Sequence, residues 1–166
     1  GKLSRAWVLC DLVKIDATYF RVALEAVRLV QSESRRAGVL CDLAERDAAD
    51  FSALLETVRT IQDEGSRVRS LSTLARFDSA YFPEALETAR AMPVKPSQYE
   101  SKQADVLSDL AKLDGADFSA LLEAARTIQN EDNRAWILSA LAKLDGADFS
   151  ALLEAVSYTH LRAHET

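Results

Sequence analysis

The sequence predicts an all-α protein, an α-solenoid of about five stacked helix–turn–helix repeats. Three features carry that reading. Residues 139–155, SALAKLDGADFSALLEA, match residues 108–124 at every position except Asp109 against Ala140, and more diverged copies begin at Leu9, Leu40 and Leu71. Counted on Leu12, Leu43, Leu74, Leu110 and Leu141, the copies recur every 31, 31, 36 and 31 residues, a period that belongs to repeat architectures. The composition agrees. Of 166 residues 48% are hydrophobic and 28% charged, with only five Gly and three Pro, which suits a helical array.

Each unit reads as two short helices, A and B, and the expected units are 4–34, 35–65, 66–101, 102–132 and 133–156. In the second copy helix A runs through RRAGVLCDLAER (35–46), with Ala37, Leu40, Leu43 and Ala44 on one face. Helix B runs through FSALLETVRTIQ (51–62), with Phe51, Leu54, Leu55, Val58 and Ile61 on one stripe. Ser4, Ser66 and Asn133 stand before the arginines expected to open helix A, in position to cap it. Asp50, Asp117 and Asp148 stand before the phenylalanine that opens helix B and suit the same role. Gly115 and Gly146 fall where helix A should stop, and Pro83 lies in a first helical turn, which tolerates it. Residues 91–101, AMPVKPSQYES, are an expected five-residue insertion carrying Pro93 and Pro96. A lone unit has too few large apolar side chains to offset the entropy of ordering its backbone, so each must lean on the next. Bare end faces then predict concentration-dependent self-association.

The formal charge of −6 argues against nucleic acid as a partner, since phosphate binding needs clustered Lys and Arg. No apolar run reaches the roughly 18 residues of a membrane span. Cys10 and Cys41 share one slot in successive repeats, where the other copies carry Ser72, Ser108 and Ser139. Equivalent stacked helices lie about 8–10 Å apart, beyond the ~7 Å reach of a disulfide, so two free thiols in a reducing cytoplasm are expected. Residues 157–166 are expected to be a non-native tail. After Val156 the repeat register is lost, and VSYTHLRAHET resembles a translated sequencing adapter. Both histidines, His160 and His164, lie in it, and their spacing mimics half a metal site; no metal and no cofactor are expected.

The Asp pairs Asp47/Asp50, Asp114/Asp117 and Asp145/Asp148 recur once per repeat at a turn, which marks capping and not acid–base catalysis. Glu25, Glu56, Glu87 and Glu123 each precede an arginine by three residues (Arg28, Arg59, Arg90, Arg126), the spacing of ion pairs along one helix face. Arg5, Arg36, Arg67 and Arg134, at the start of helix A, oppose its dipole and are expected to bridge to acidic residues of a neighbouring helix. One helix-A position varies wholesale: Trp7, Gly38, Arg69, Asp105 and Trp136. A variable column rich in Trp and Arg is the candidate partner surface. Phosphate-loop, dinucleotide, zinc-protease and serine-hydrolase motifs are absent, and no enzyme activity is expected.

At LLETVRTIQDEGSRVRSLSTLA (54–75) and LLEAARTIQNEDNRAWILSALA (121–142) the chain resembles a bacterial family of ~31-residue α-helical hairpin repeats. The resemblance covers residues 3–156. It lacks the 34-residue period and Trp-Leu-Gly-Tyr signature of tetratricopeptide repeats. Such arrays form C-terminal arms of STAND-type NTPases and caspase-like signalling proteases. The resemblance implies a fragment of a larger cytoplasmic protein: a sensor or scaffold arm that binds a protein or peptide. The alternative it implies is a regulatory segment of a signalling NTPase or protease whose catalytic domain lies elsewhere.

Overall fold

The computed structural model describes residues 1–93 and 98–163, with side chains described at 1–93 and 100–157. Those residues form ten α-helices and no strand: α1 Lys2–Val13, α2 Phe20–Arg28, α3 Glu33–Ala44, α4 Phe51–Arg59, α5 Glu64–Phe77, α6 Phe82–Arg90, α7 Gln98–Ala111, α8 Phe118–Arg126, α9 Glu131–Leu141 and α10 Phe149–Ala163. Odd-numbered helices are the A helices of the repeat and even-numbered ones the B helices. The all-α helical-repeat expectation is met.

The chain divides into two units, Gly1–Ala85 and Leu86–Thr166, with the division inside α6. In the first, α1, α3 and α5 stack in succession, while α2 packs on α1 and α3, and α4 on α3 and α5. In the second, α7 stacks on α9, and α8 lies against both. The B helices α2, α4 and α8 therefore each fill the angle between their own A helix and the next. The repeated leucines form the core: Leu40, Leu43, Leu71 and Leu74 in the first unit, Leu107, Leu110 and Leu141 in the second, all buried. Among the described residues no helix is long and apolar enough to cross a membrane.

Every B helix opens on phenylalanine, at Phe20, Phe51, Phe82, Phe118 and Phe149. Two turn designs lead into it. Where the preceding residue is Asp, its side chain caps helix B: Asp50, Asp117 and Asp148 accept from the backbone N–H of Ala53, Ala120 and Ala151 at 3.1, 3.0 and 3.1 Å. Where it is tyrosine, the cap moves three residues back. Asp16 and Asp78 accept from the N–H of Thr18 and Ala80, each at 2.9 Å, and open a 3-10 turn, Ala17–Tyr19 and Ser79–Tyr81. Gly115 and Gly146 end their A helices at φ 77° and 78°, a left-handed backbone that favours glycine.

The A helices open three residues earlier than expected. Ser4 and Ser66 lie inside α1 and α5, and Asn133 inside α9. The capping residues are Ser32, Asp63 and Asn130, whose side chains accept from the N–H of Arg35, Ser66 and Asn133 at 3.4, 2.8 and 2.9 Å. Glu33, Glu64 and Glu131 follow them directly, where a negative charge favours the start of a helix. Half of the stretch that reads as a turn is thus first helical turn.

That shift reassigns the arginines. Arg36 donates through Nε and Nη2 to the Val30 carbonyl at 3.0 and 2.7 Å. Arg67 donates to the Ile61 carbonyl at 3.1 Å and Arg134 to the Ile128 carbonyl at 2.6 Å. Their partners are backbone carbonyls just past the preceding helix B, in place of the acidic side chains expected. A guanidinium there faces the negative end of that helix's dipole, so the apparent conflict with the dipole disappears. In the fourth repeat Gln103 takes the slot and donates to the Ala89 carbonyl at 2.9 Å.

The expected Glu–Arg pairs form at Glu25–Arg28 (2.8 Å), Glu87–Arg90 (3.5 Å) and Glu123–Arg126 (3.8 Å). The exception is Arg59. It bypasses Glu56 and makes a two-pronged contact with Glu84 of the next B helix, at 2.9 and 2.8 Å. The insertion expected at 91–101 lies partly outside the described residues, at 94–97; α7 begins at Gln98, two residues ahead of Glu100, the register position of Glu33. The array expected over 1–156 ends within α10, whose fifteen residues exceed the nine of α2, α4, α6 and α8. Its turns continue to Ala163 because no counterpart of the Thr-Ile-Gln turn follows Val156. The His160 and His164 side chains lie outside the described residues.

Candidate functional site

The variable column lies on the outward edge of the A helices, between columns that face neighbouring repeats. In the first unit it comprises Trp7 on α1, Gly38 on α3 and Arg69 on α5. Trp7 is 41% exposed, Arg69 is exposed, and Gly38 sits in open space with nothing within 4 Å of an added Cβ. In the second unit Asp105 on α7 is exposed, and Trp136 on α9 is 61% exposed. The residues singled out from the sequence are thus all reachable by a partner except Gly38, which contributes bare backbone.

One helical turn on from this column the edge is polar and paired. Lys14 meets Asp11 at 2.9 Å and Lys112 meets Asp109 at 3.2 Å. Arg46 contacts Asp42, and Arg76 reaches Glu45 on the neighbouring A helix at 3.7 Å. The Lys14 ammonium holds the Asp11 carboxyl below the usual range, chiefly by its hydrogen bond.

In the second unit a groove of about 530 Å³ runs beside Trp136, lined also by Ala111, Lys112, Ser139, Ala140, Lys143 and Leu144. Its floor is small and apolar, its rim carries two lysines, and the exposed indole forms one wall. This combination suits an aromatic or acidic peptide side chain. The sequence signal for it was the Asp109-to-Ala140 difference, which removes a carboxylate beside Trp136; the other copy that carries Trp, at Trp7, keeps Asp11 there. A second groove of about 530 Å³, in the first unit, lies between the A–B turns of repeats one and two and is lined by charged Lys14, Glu45, Arg46 and Asp47.

Other perturbed carboxylates are structural acceptors. Glu33 takes hydrogen bonds from the backbone N–H of Gln62 and Asp63 at 3.1 and 2.7 Å, and those bonds lower its pKa, the Gln62 bond most. Glu100 likewise accepts from the backbone N–H of Gln129 and Asn130, at 2.6 and 2.8 Å. These clasps tie the first turn of one A helix to the start of the next; sequence reasoning missed them, although the recurring Glu after Ser32 and Asp63 was their trace. Glu84 is lowered by its Arg59 hydrogen bonds and Asp16 by the Thr18 backbone N–H. Glu33, Glu84, Asp16 and Asp11 are each held as an anion, which suits an acceptor and not a proton donor. Among the described residues no three His, Cys, Asp or Glu side chains converge to hold a metal ion. No known protein family, characterised protein or solved structure matches the chain.

Proposed function

We propose that this chain is a non-catalytic interaction arm, a cytoplasmic scaffold or sensor segment that binds a protein or peptide along the outward edge of its A helices. The observation that carries the proposal is Trp136, 61% exposed beside a small apolar groove with a lysine rim. An indole left in water at a concave site is the side chain most often found to anchor a contact. The resemblance to repeat arms of bacterial signalling proteins supports the same reading. A regulatory segment of a signalling NTPase or protease rests on that resemblance alone.

The test is a peptide selection on the purified chain followed by affinity measurement on its variants. The selected peptides should carry an aromatic or acidic anchor, and Trp136→Ala should weaken them at least about tenfold, the loss expected of an anchoring indole. Peptides that bind with unchanged affinity to Trp136→Ala, Trp7→Ala and Arg69→Ala would remove this edge as the partner surface.

A further inference from the structure

The column two residues past the repeated leucine is charged in every repeat: Lys14, Glu45, Arg76, Lys112 and Lys143. Its basic members take a carboxylate from the chain in one of two ways. Lys14 and Lys112 pair with the aspartate three residues back, Asp11 at 2.9 Å and Asp109 at 3.2 Å. Repeat three has Thr73 in that aspartate slot, and Arg76 reaches its counterpart in the preceding repeat, Glu45, at 3.7 Å. Repeat five has neither provision. Ala140 fills the aspartate slot, and the counterpart in the preceding repeat is Lys112, a cation already engaged with Asp109. Among the described residues Lys143 is exposed and makes no side-chain hydrogen bond or ion pair.

A hydrated surface lysine contributes little by itself. Lys143 differs through its place. It follows Trp136 by seven residues, about two helical turns or ~10 Å along the same face. Ala140 lies between them, and Ala111 and Lys112 of the preceding repeat form the opposite wall of the groove. Alanine in the aspartate slot thus has two effects at one spot. It clears an apolar floor beside the indole, and it leaves a cation that the chain does not neutralise. A ligand that brings both an apolar side chain and a carboxylate restores what the other repeats have internally.

We infer that this groove takes an acidic linear segment of a partner protein, with an aspartate or glutamate carboxylate on the Lys143 ammonium and a large apolar side chain against the Trp136 indole. The inference rests on the outward edge being the partner surface, and it makes Lys143 the residue that selects among ligands. An extended chain rises about 3.3 Å per residue, so the ~10 Å from indole to ammonium places the two ligand side chains within about three residues of each other. With a formal charge of −6 the chain repels acidic peptides in general, and the two lysines beside the groove confine their binding to this place. Charge governs the choice of ligand here, while the indole supplies most of the affinity.

The probe is a random linear peptide library selected on the full chain, with the affinities of recovered peptides measured by fluorescence anisotropy. Those peptides should carry Asp or Glu within about three residues of an aromatic or large aliphatic residue. Exchanging that acid for its amide should weaken binding about three- to tenfold, and Lys143→Gln should do the same. The two changes together should cost no more than either alone, as for groups in direct contact. Ala140→Asp supplies from within the chain the carboxylate that repeat four has at Asp109, and should weaken the acidic peptides by a similar factor. Ala140→Asn, of the same size and uncharged, should stay within about twofold of the parent. Lys143 is exposed and Ala140 half-buried, and circular dichroism verifies that each variant keeps its helix content. Equal losses from Ala140→Asp and Ala140→Asn would mean simple blockage and overturn the charge assignment. A library that yields no binder, or binders without an acidic residue, overturns it too. Peptides weakened by Trp136→Ala but indifferent to Lys143→Gln overturn the acidic ligand alone and leave the outward edge standing. Peptides indifferent to Trp136→Ala, Trp7→Ala and Arg69→Ala remove the edge itself, and this inference with it.

Discussion

Cys10 illustrates how much a single slot depends on its neighbours. The thiol is buried on α1, and burial pushes its pKa up from the ordinary 9.0 to about 12, with the Asp42 carboxylate adding to the effect. Thiolate is the reactive form, so Cys10 is shielded twice, by access and by protonation. Cys41, one repeat later, is only half-buried, with the Thr73 hydroxyl 3.2 Å from its sulfur. In a Cys41→Ser variant at pH 8, a thiol reagent should react with Cys10 far more slowly than with a free peptide thiol, and at full rate in denaturant. Native reaction at the peptide rate would contradict the buried placement. The sign of the pH effect follows. A raised folded pKa means that the neutral thiol's contribution to stability is fully present below about pH 9 and is lost as pH rises through about 12. Cys10→Ser should therefore flatten the alkaline limb of a stability profile and leave its neutral part with the same slope.

At the scale of the helix, stability comes from end-to-end satisfaction as much as from the apolar stripe. The A helices α3, α5 and α9 each begin with a side-chain cap from Ser, Asp or Asn, and the fourth residue of each, an arginine, closes the carbonyl end of the B helix before it. Arg67→Met keeps the aliphatic stem and removes the donor to Ile61. A cation bound at a part-buried helix C-terminus is worth about 1–2 kcal/mol, and urea unfolding should register a loss of that size. Arg69→Met, two residues along and exposed, should register almost none, and equal effects would discard the closing role. This is also where sequence reading reached its limit. The start of helix B was legible where phenylalanine follows Asp, which supplies the cap, but not its end: the helix expected over 51–62 stops at Arg59. Helix A was legible in its leucines but not at its start, because Gln-Asp-Glu-Gly-Ser has turn composition and only the geometry at Asp63 separates cap from turn. The arginine partners were not legible at all. A backbone carbonyl leaves no residue-type signature, so a bridge to an acidic side chain was the natural expectation. The variable column could be read as a column, but the groove beside Trp136 needs Ala111 and Lys112 from the adjacent repeat to exist.

At the scale of the whole molecule, local sequence ceases to determine environment. Leu122 and Leu153 each sit within the string Phe-Ser-Ala-Leu-Leu-Glu-Ala and share their four preceding and two following residues. Leu122 is buried where α8 meets α9, while Leu153 faces outward from α10. The difference is supplied by the next hairpin, which is the sense in which a repeat protein's stability is a sum over neighbours. Leucine-to-alanine substitution turns that into a measurement. Leu122→Ala removes a buried side chain and should cost about 2–5 kcal/mol. Leu153→Ala should stay within about 0.5 kcal/mol of the parent, as exposed substitutions do. Intrinsic helix propensity cancels, because the two sites have the same residues on either side. The comparison belongs at low micromolar concentration, where association between copies is weakest. Equal costs at low concentration would mean that the fold is held by something other than each repeat covering the last.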